Sequence, residues 1–218
     1  MNMTTLAGFL KEVENHKLTV VRDDGLNRHI RLAEPGTGNC QFDLITWPGH
    51  LCVTGDCGTY VFQRTNDMFE FFRQNQKGEK ELRINSGYWS EKLLSTCNHG
   101  GVKKFCTDLF KKQLDDYIEN HWEFEDDDDE ELKAVEVKAK VLAEVNEEIV
   151  TILDMGKDMA LNAAMTFKSE YGHTFEDFWD YEFDKYTHHF LWNLYSIAWG
   201  IQQYDLSKES ECPTPSKT

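Results

Sequence analysis

The side chains here that could do chemistry are six cysteines, eight histidines and a run of carboxylates. Cys52 and Cys57 are separated by four residues, and Cys97 and His99 follow much later. Structural zinc sites favour two tight pairs such as C-x2-C, and neither is present. The thiols therefore read as small apolar residues on strands and a helix, with no metal and no cofactor implied. Glu170-Tyr171-Gly172-His173 is a single Glu-x-x-His. A di-iron bundle needs that pattern twice, on helices, with two further glutamates. Gly172 sits where such a helix should continue, and Lys185 and Tyr186 occupy the places three before His188 and His189. G-x-S-x-G, the phosphate-binding Walker loop and H-E-x-x-H do not occur. Gly36-Thr37-Gly38 lacks its third glycine, because residue 41 is Gln. One enzyme reading stays open: a Cys/His or zinc site in the N-terminal half, built from Cys40, Cys52 or Cys57 with His50 or His99.

Carboxylates dominate the rest. Among 218 residues, 23 Lys and Arg face 39 Asp and Glu, a net charge of −16. Residues 1–118 are balanced at 15 against 15, and residues 119–218 hold 8 against 24. Such asymmetry marks an interaction surface rather than a grip on a nucleic-acid backbone, which needs clustered Lys and Arg. The densest stretch is Glu125, Asp126, Asp127, Asp128, Asp129, Glu130 and Glu131. In a helix these would lie about 1.5 Å apart along the axis, against one charge per about 1.7 Å of duplex DNA. The run reads either as a solvated helix start or as a nucleic-acid-mimicking surface for a basic partner. The second anomaly is aromatic. A helix spanning Glu176–Tyr204 would carry one stripe through Trp179, Phe183, Tyr186 and Phe190, and another through Phe178, Tyr181, Trp192, Tyr195 and Trp199. A helix apolar on two faces is either central to a bundle or shared with a partner. The candidate partner-binding set is therefore the run 125–131 with Asp177, Asp180, Trp179, Trp192 and Trp199.

The elements that must position these residues change character along the chain. Residues 3–16 fit a short helix; LTVVR, HIRLA, FDLITW, HLCVTG and TYVFQR fit strands, the last three parted by Pro48-Gly49 and Asp56-Cys57-Gly58. Asn66 or Asp67 would cap a short helix through Phe69 and Phe72. Beyond residue 86 the spacing predicts helices over 88–96 and 101–123. An apolar seam then runs from Leu132 through Val135, Ala139, Leu142, Val145, Ile149, Ile152, Gly156, Met159 and Ala163 to Phe167. Its mean step of 3.5 residues is a heptad repeat. One helix over 126–167 would be roughly 63 Å long, so it breaks near Asn146 or Gly156 as a hairpin, or pairs with a second copy. The expected fold class is α+β: an N-terminal antiparallel β-meander with short helices, then a C-terminal helical bundle or long helical hairpin. The expected divisions are 1–86, an acidic aromatic-rich helical region 87–206, and a disordered tail 207–218.

The opening residues lack a basic region followed by an apolar one, and no window is long and apolar enough for a membrane span. Scattered cysteines without an export signal fit a reducing cytoplasm. Residues Phe42–Asp56, Gly58–Phe62, Asp67–Phe72 and Ile84–Lys92 resemble a family of uncharacterised bacteriophage and prophage proteins. The resemblance covers part of the N-terminal half. It implies a phage origin and a bacterial host cytoplasm, and assigns no activity. With catalytic motifs lacking, the expectation is a binder rather than an enzyme: an inhibitor of a host defence protein, of the anti-CRISPR or anti-restriction type. Its partner would be a host nucleic-acid-binding protein or defence complex, with no direct nucleic-acid or membrane contact. The heptad seam also predicts a homodimer. Light scattering at high micromolar concentration should return a dimer; a monomer would assign the seam to a fold within one chain.

Overall fold

The computed structural model describes residues 4–74, 82–98, 101–124 and 131–211. The acid run at 125–130 and residues 212–218 lie outside them. The order is α1 (Leu6–Glu12), β1 (Lys17–Asp24), β2 (Asn27–Ala33), β3 (Phe42–Trp47), β4 (His50–Gly55), β5 (Gly58–Gln63), α2 (Met68–Arg73), α3 (Ser86–Ser90), β6 (Leu93–Thr96), β7 (Lys103–Phe105), α4 (Thr107–His121), α5 (Glu131–Glu148), a 3-10 helix (Val150–Met155), α6 (Lys157–Thr166), a 3-10 turn (Phe178–Asp180), β8 (Asp184–Tyr186) and α7 (His188–Glu211). Strands β1 to β6 form one antiparallel sheet in chain order, a meander in an α+β fold. Among the described residues, no helix is long and apolar enough to cross a membrane.

The chain forms two compact units, 1–103 with 186–218, and 104–185. This differs from the expected boundary at 86. β6 completes the sheet beyond that boundary, and the last helix belongs to the sheet's own unit.

In the sheet unit the central strands β3 to β5 alternate as a half-buried meander should. Phe42, Leu44 and Thr46 of β3, Leu51 and Val53 of β4, and Tyr60 and Phe62 of β5 point into the core. Their cover is α7, with Phe190, Trp192, Leu194, Ile197 and Ile201 buried in the same cluster. Gly200 lets the helix close on the sheet: a Cβ there would stand 2.8 Å from Leu44 Cδ1 and 3.3 Å from Leu32 Cδ1. Trp192 meets Phe9 and Phe42 edge-on at 5.4 and 5.5 Å, and its Nε1 donates to Glu12 at 2.7 Å. At the sheet's flank Arg28 donates twice to Asp67, at 2.9 and 3.0 Å, while Asp67 caps α2 by accepting from the Phe69 and Glu70 amides. Burial alone would raise the Asp67 carboxyl; the guanidinium and the two amides outweigh it and hold the group below the ordinary carboxylate range.

Three helical expectations change. Residues 88–96 split into α3 and β6, because Leu93, Ser95 and Thr96 pair with β5. The helix expected over 101–123 starts at Thr107, after β7. The helix expected over 176–204 starts at His188. Asp177 adopts a left-handed φ of 52°, which ends any helix there. Thr187 accepts from the Phe190 amide at 3.2 Å and so caps α7, which runs on to Glu211, into the stretch expected to be a disordered tail.

Residues 104–185 have their own core: Phe110, Leu114, Tyr117 and Ile118 of α4, Val145 of α5, Ala160 and Ala164 of α6, and Phe175, Phe178 and Phe183. The long helix breaks twice, at Ile149 and at Gly156, whose φ is 109°. The heptad seam is not buried along its length. Val141, Val145 and Ile149 face inward at a spacing of four, while Val135 and Leu142 are 66% and 39% exposed. A straight helix repeats at 3.6 residues, so a seam of 3.5 drifts off any single buried face unless helices supercoil.

Two outcomes test the sheet unit. Gly200→Val should cost about 1–3 kcal/mol in urea denaturation by overpacking against Leu44 and Leu32. Because the Asp67 pKa is lowered by folding, its contribution is present above the unfolded carboxylate value of about 3.9 and lost as pH falls through the folded one. The stability gap between wild type and Asp67→Asn should therefore hold at neutral pH and shrink below about pH 4.

Candidate partner-binding surface

Net charge follows the structural units almost as completely as it follows the two halves of the sequence. Residues 104–185 hold nine Lys and Arg against twenty-four Asp and Glu, so −15 of the chain's −16 belongs to one compact unit. Within that unit a cleft of about 440 Å³ is lined by Tyr117, His121, Glu176, Asp177, Asp180 and Tyr181. α4 supplies its floor. Tyr117 is buried, and its hydroxyl accepts from the Glu176 amide at 2.9 Å. His121 lies one turn further along, stacked on Tyr117 at 4.3 Å, with Nδ1 3.1 Å from the Tyr117 carbonyl. Only a protonated nitrogen can bond there, so Nδ1 donates and Nε2 is left for the cleft.

The rim is the turn that replaces the expected helix start. With Asp177 left-handed, its carbonyl accepts from the Asp180 amide at 3.0 Å. The chain reverses within four residues, with Glu176, Asp177 and Asp180 exposed and Phe178 buried. Aspartate tolerates this conformation better than most residues. Trp179, on the same turn, is 54% exposed, and Tyr181 lies 6.2 Å from Tyr117. Carboxylates beside aromatic faces suit an organic cation, above all a guanidinium, which takes hydrogen bonds in its plane and aromatic contact on its face. Among the described residues no group of three His, Cys, Asp or Glu side chains is arranged to hold a metal ion.

The structure brings together three of the expected partner-binding residues: Asp177, Trp179 and Asp180. It separates the others. Trp192 is fully buried in the sheet unit and has no surface for a partner, because it wedges between Phe9 and Phe42. Trp199 is half-buried in the same core, 6.1 Å from Phe9 and 6.3 Å from Phe42. Glu125, Asp126, Asp127, Asp128, Asp129 and Glu130 lie outside the described residues, and Glu131 opens α5. Tyr117, His121, Glu176 and Tyr181 were not among the expected set. The aromatic-acid alternation over 175–184 held the signal for Glu176 and Tyr181, but assigning it to a helix hid the turn. For Tyr117 and His121, a spacing of four on α4 was the only clue.

None of the three thiols that the enzyme reading names, Cys40, Cys52 and Cys57, is shifted toward the thiolate. Burial pushes the Cys52 thiol up, and burial with Glu12 and Asp56 nearby does the same to Cys40. Burial first, then the neighbouring Cys40, Glu12 and Asp56, pushes Cys57 up to about 12. A cysteine nucleophile needs the opposite shift. His50 stacks on Trp47 at 4.9 Å, with Nδ1 3.0 Å from the Pro48 carbonyl, and His99 lies outside the described residues. The Glu-x-x-His motif sits in a loop closed by a Lys168–Thr174 bridge, with Gly172 at φ 86°, not on a helix.

The chain matches no protein-family model, no curated protein and no solved structure.

Because the rim carboxylates are exposed, neutralising them should leave the fold intact. The triple change Glu176→Gln, Asp177→Asn, Asp180→Asn should move unfolding free energy by less than about 1 kcal/mol, since surface substitutions rarely do more than a few tenths each. Thermal denaturation followed by circular dichroism checks this. A larger loss would mean that the turn is held by these side chains rather than by its backbone.

Proposed function

We propose that this protein is a phage-encoded inhibitor of a host defence protein, anti-CRISPR or anti-restriction in type. It binds a basic, nucleic-acid-handling partner through the acidic unit 104–185. The observation that carries this reading is the segregation of charge, −15 on one compact unit and −1 on the other. Defence effectors that hold guide or target strands carry positively charged channels. An acidic unit is drawn to such a channel over long range, which raises the association rate.

Charge alone does not hold the complex. Each exposed ion pair contributes about 0–1 kcal/mol, and salt screens it beyond about 8–10 Å. Residence must come from apolar anchors, and this unit exposes Val135, Met155, Met159 and Trp179 among its acids. Trp179 is the strongest candidate, since it is exposed on the turn whose Asp177 and Asp180 line the acidic cleft and tryptophan is among the commonest anchor types. A phage origin, implied by the resemblance of the N-terminal residues, gives such an inhibitor its setting in the bacterial host cytoplasm.

The test is capture from bacterial lysate at low and high salt, followed by identification of what elutes. A nucleic-acid-handling protein should be retained at low salt and weakened at high salt. The triple neutralisation at Glu176, Asp177 and Asp180 should slow association and flatten its salt dependence. Trp179→Ala should speed dissociation by roughly 30-fold, equivalent to about 2 kcal/mol. Recovery of no such partner under either condition overturns the proposal.

A further inference from the structure

We propose that Cys40 and Cys57 are a disulfide-forming pair, which a peroxide oxidises to lock the loop entering β3 onto the β4–β5 turn. The register supports it. β3 and β4 pair from Trp47 opposite His50 to Phe42 opposite Gly55. Pairing continues one step past the strands, where the Asp56 amide donates to the Gln41 carbonyl at 3.1 Å. The residues that flank this bonded pair are Cys40, in the turn before β3, and Cys57, in the β4–β5 turn. The two backbones run unusually close here: a Cβ on Gly55 would stand 2.1 Å from the Gln41 carbonyl oxygen and 2.8 Å from Phe42 Cα. A disulfide spans Cα atoms about 4.4–6.8 Å apart, so it needs two backbones brought together as these are.

Both backbones are anchored. His16 Nε2 lies 2.9 Å from the Cys40 carbonyl, while Cys40 holds a left-handed φ of 52°. Asn193 of α7 donates to the Cys57 carbonyl at 2.8 Å. Cys57 is buried in the sheet unit's core, and Cys40, half-buried, packs against the same cluster. Among the described residues of the same unit competition is poor: Cys52 stands opposite Ile45 and Val61, and the Cys97 sulfur accepts from the Thr59 amide.

The chemistry balances with hydrogen peroxide as the oxidant. The Cys40 sulfur, as thiolate, attacks one peroxide oxygen; the S–O bond forms, the O–O bond breaks, and hydroxide leaves and is protonated to water. Cys57, having lost its proton, then attacks the Cys40 sulfenic sulfur. The S–S bond forms, the S–O bond breaks, and a second water departs. Two thiols are oxidised by two electrons, and one peroxide is reduced to two waters. With both thiols held protonated by burial, Glu12 and Asp56, the first step is slow at neutral pH and should accelerate about tenfold per pH unit.

The experiment treats the full chain with stoichiometric hydrogen peroxide, alkylates the remaining thiols and maps peptides by mass spectrometry without reduction. The peptides carrying Cys40 and Cys57 should be joined, with the loss of two hydrogens. The oxidised protein should melt several degrees higher than the reduced one. Cys40→Ser should abolish both effects, and Cys52→Ser should leave both in place. Oxidation of Cys40 to sulfinic acid without the cross-link, or its pairing with any other cysteine, overturns the proposal.

Discussion

The close approach of α7 to the sheet is the contact on which the larger unit depends. Gly200 removes the one side chain that would hold the helix off Leu44 and Leu32, and Trp192 fills the space between Phe9 and Phe42. Packing of this kind tolerates little change in volume, because protein interiors are as dense as organic crystals. It also has a cost in chain entropy. Strands β1 to β5 join their neighbours through short connections, which close cheaply, but the sheet's cover is the last element described. Residues 104–185 are therefore an insertion that leaves the sheet unit through β7 and re-enters through β8. Polar ties fasten α7 further along, with Tyr204 donating to Asp23 at 2.9 Å and Arg73 to Asp205 at 2.6 and 2.8 Å.

The insertion has the harder electrostatic problem. A net charge of −15 within one small unit repels itself, and that repulsion opposes folding. Its core answers with aromatic density. Phe110 lies 4.6 Å from Phe183 and 5.4 Å from Phe178, and Tyr117 lies 5.1 Å from Phe175 and 5.8 Å from Phe178. Aromatic side chains bury the most apolar area per residue, and their edge-to-face pairs add about 0.5–1.5 kcal/mol each beyond it. The aromatics of 175–183, which by composition resemble a binding surface, are thus mostly the means of holding an acidic unit together.

What was legible in the sequence followed from local rules. The strands β3 to β5 alternate with a period of two, and all five strands of 17–63 are parted by Gly-containing turns, so their limits fall within a residue or two of expectation. Asp67 as a cap needed only its position before Met68-Phe69. The helical half was less legible because its cues compete. From 176 to 204 the aromatic spacing fits one helix, yet Asp177 turns left-handed and Thr187 caps a new start. Nothing local distinguishes a helix interior from a turn when tertiary packing of Phe178 and Phe183 decides the matter. β6 was missed for a similar reason. Leu93–Thr96 is a short edge strand, specified by pairing with β5 rather than by its own periodicity. Of the candidate site, the exposed acids and Trp179 were readable. Trp192 was not, since a buried wedge and an exposed anchor have the same composition.

The last constraint concerns how an acidic unit can be both stable and adhesive. Buried aromatics support the fold but are lost to binding, and exposed carboxylates attract a partner without retaining it. A side chain that serves adhesion must therefore be apolar, exposed and not needed for the core. Trp179 meets all three conditions because of one backbone conformation. With Asp177 left-handed, the turn 177–180 sends Phe178 inward and leaves Trp179 half-open among Glu176, Asp177 and Asp180. In the uninterrupted helix that the spacing suggested, Trp179 would have continued the stripe of Phe183 and Tyr186 into a core. The same four residues thus make the acidic rim and free its anchor, and a residue that restored helical dihedrals at 177 would remove both together.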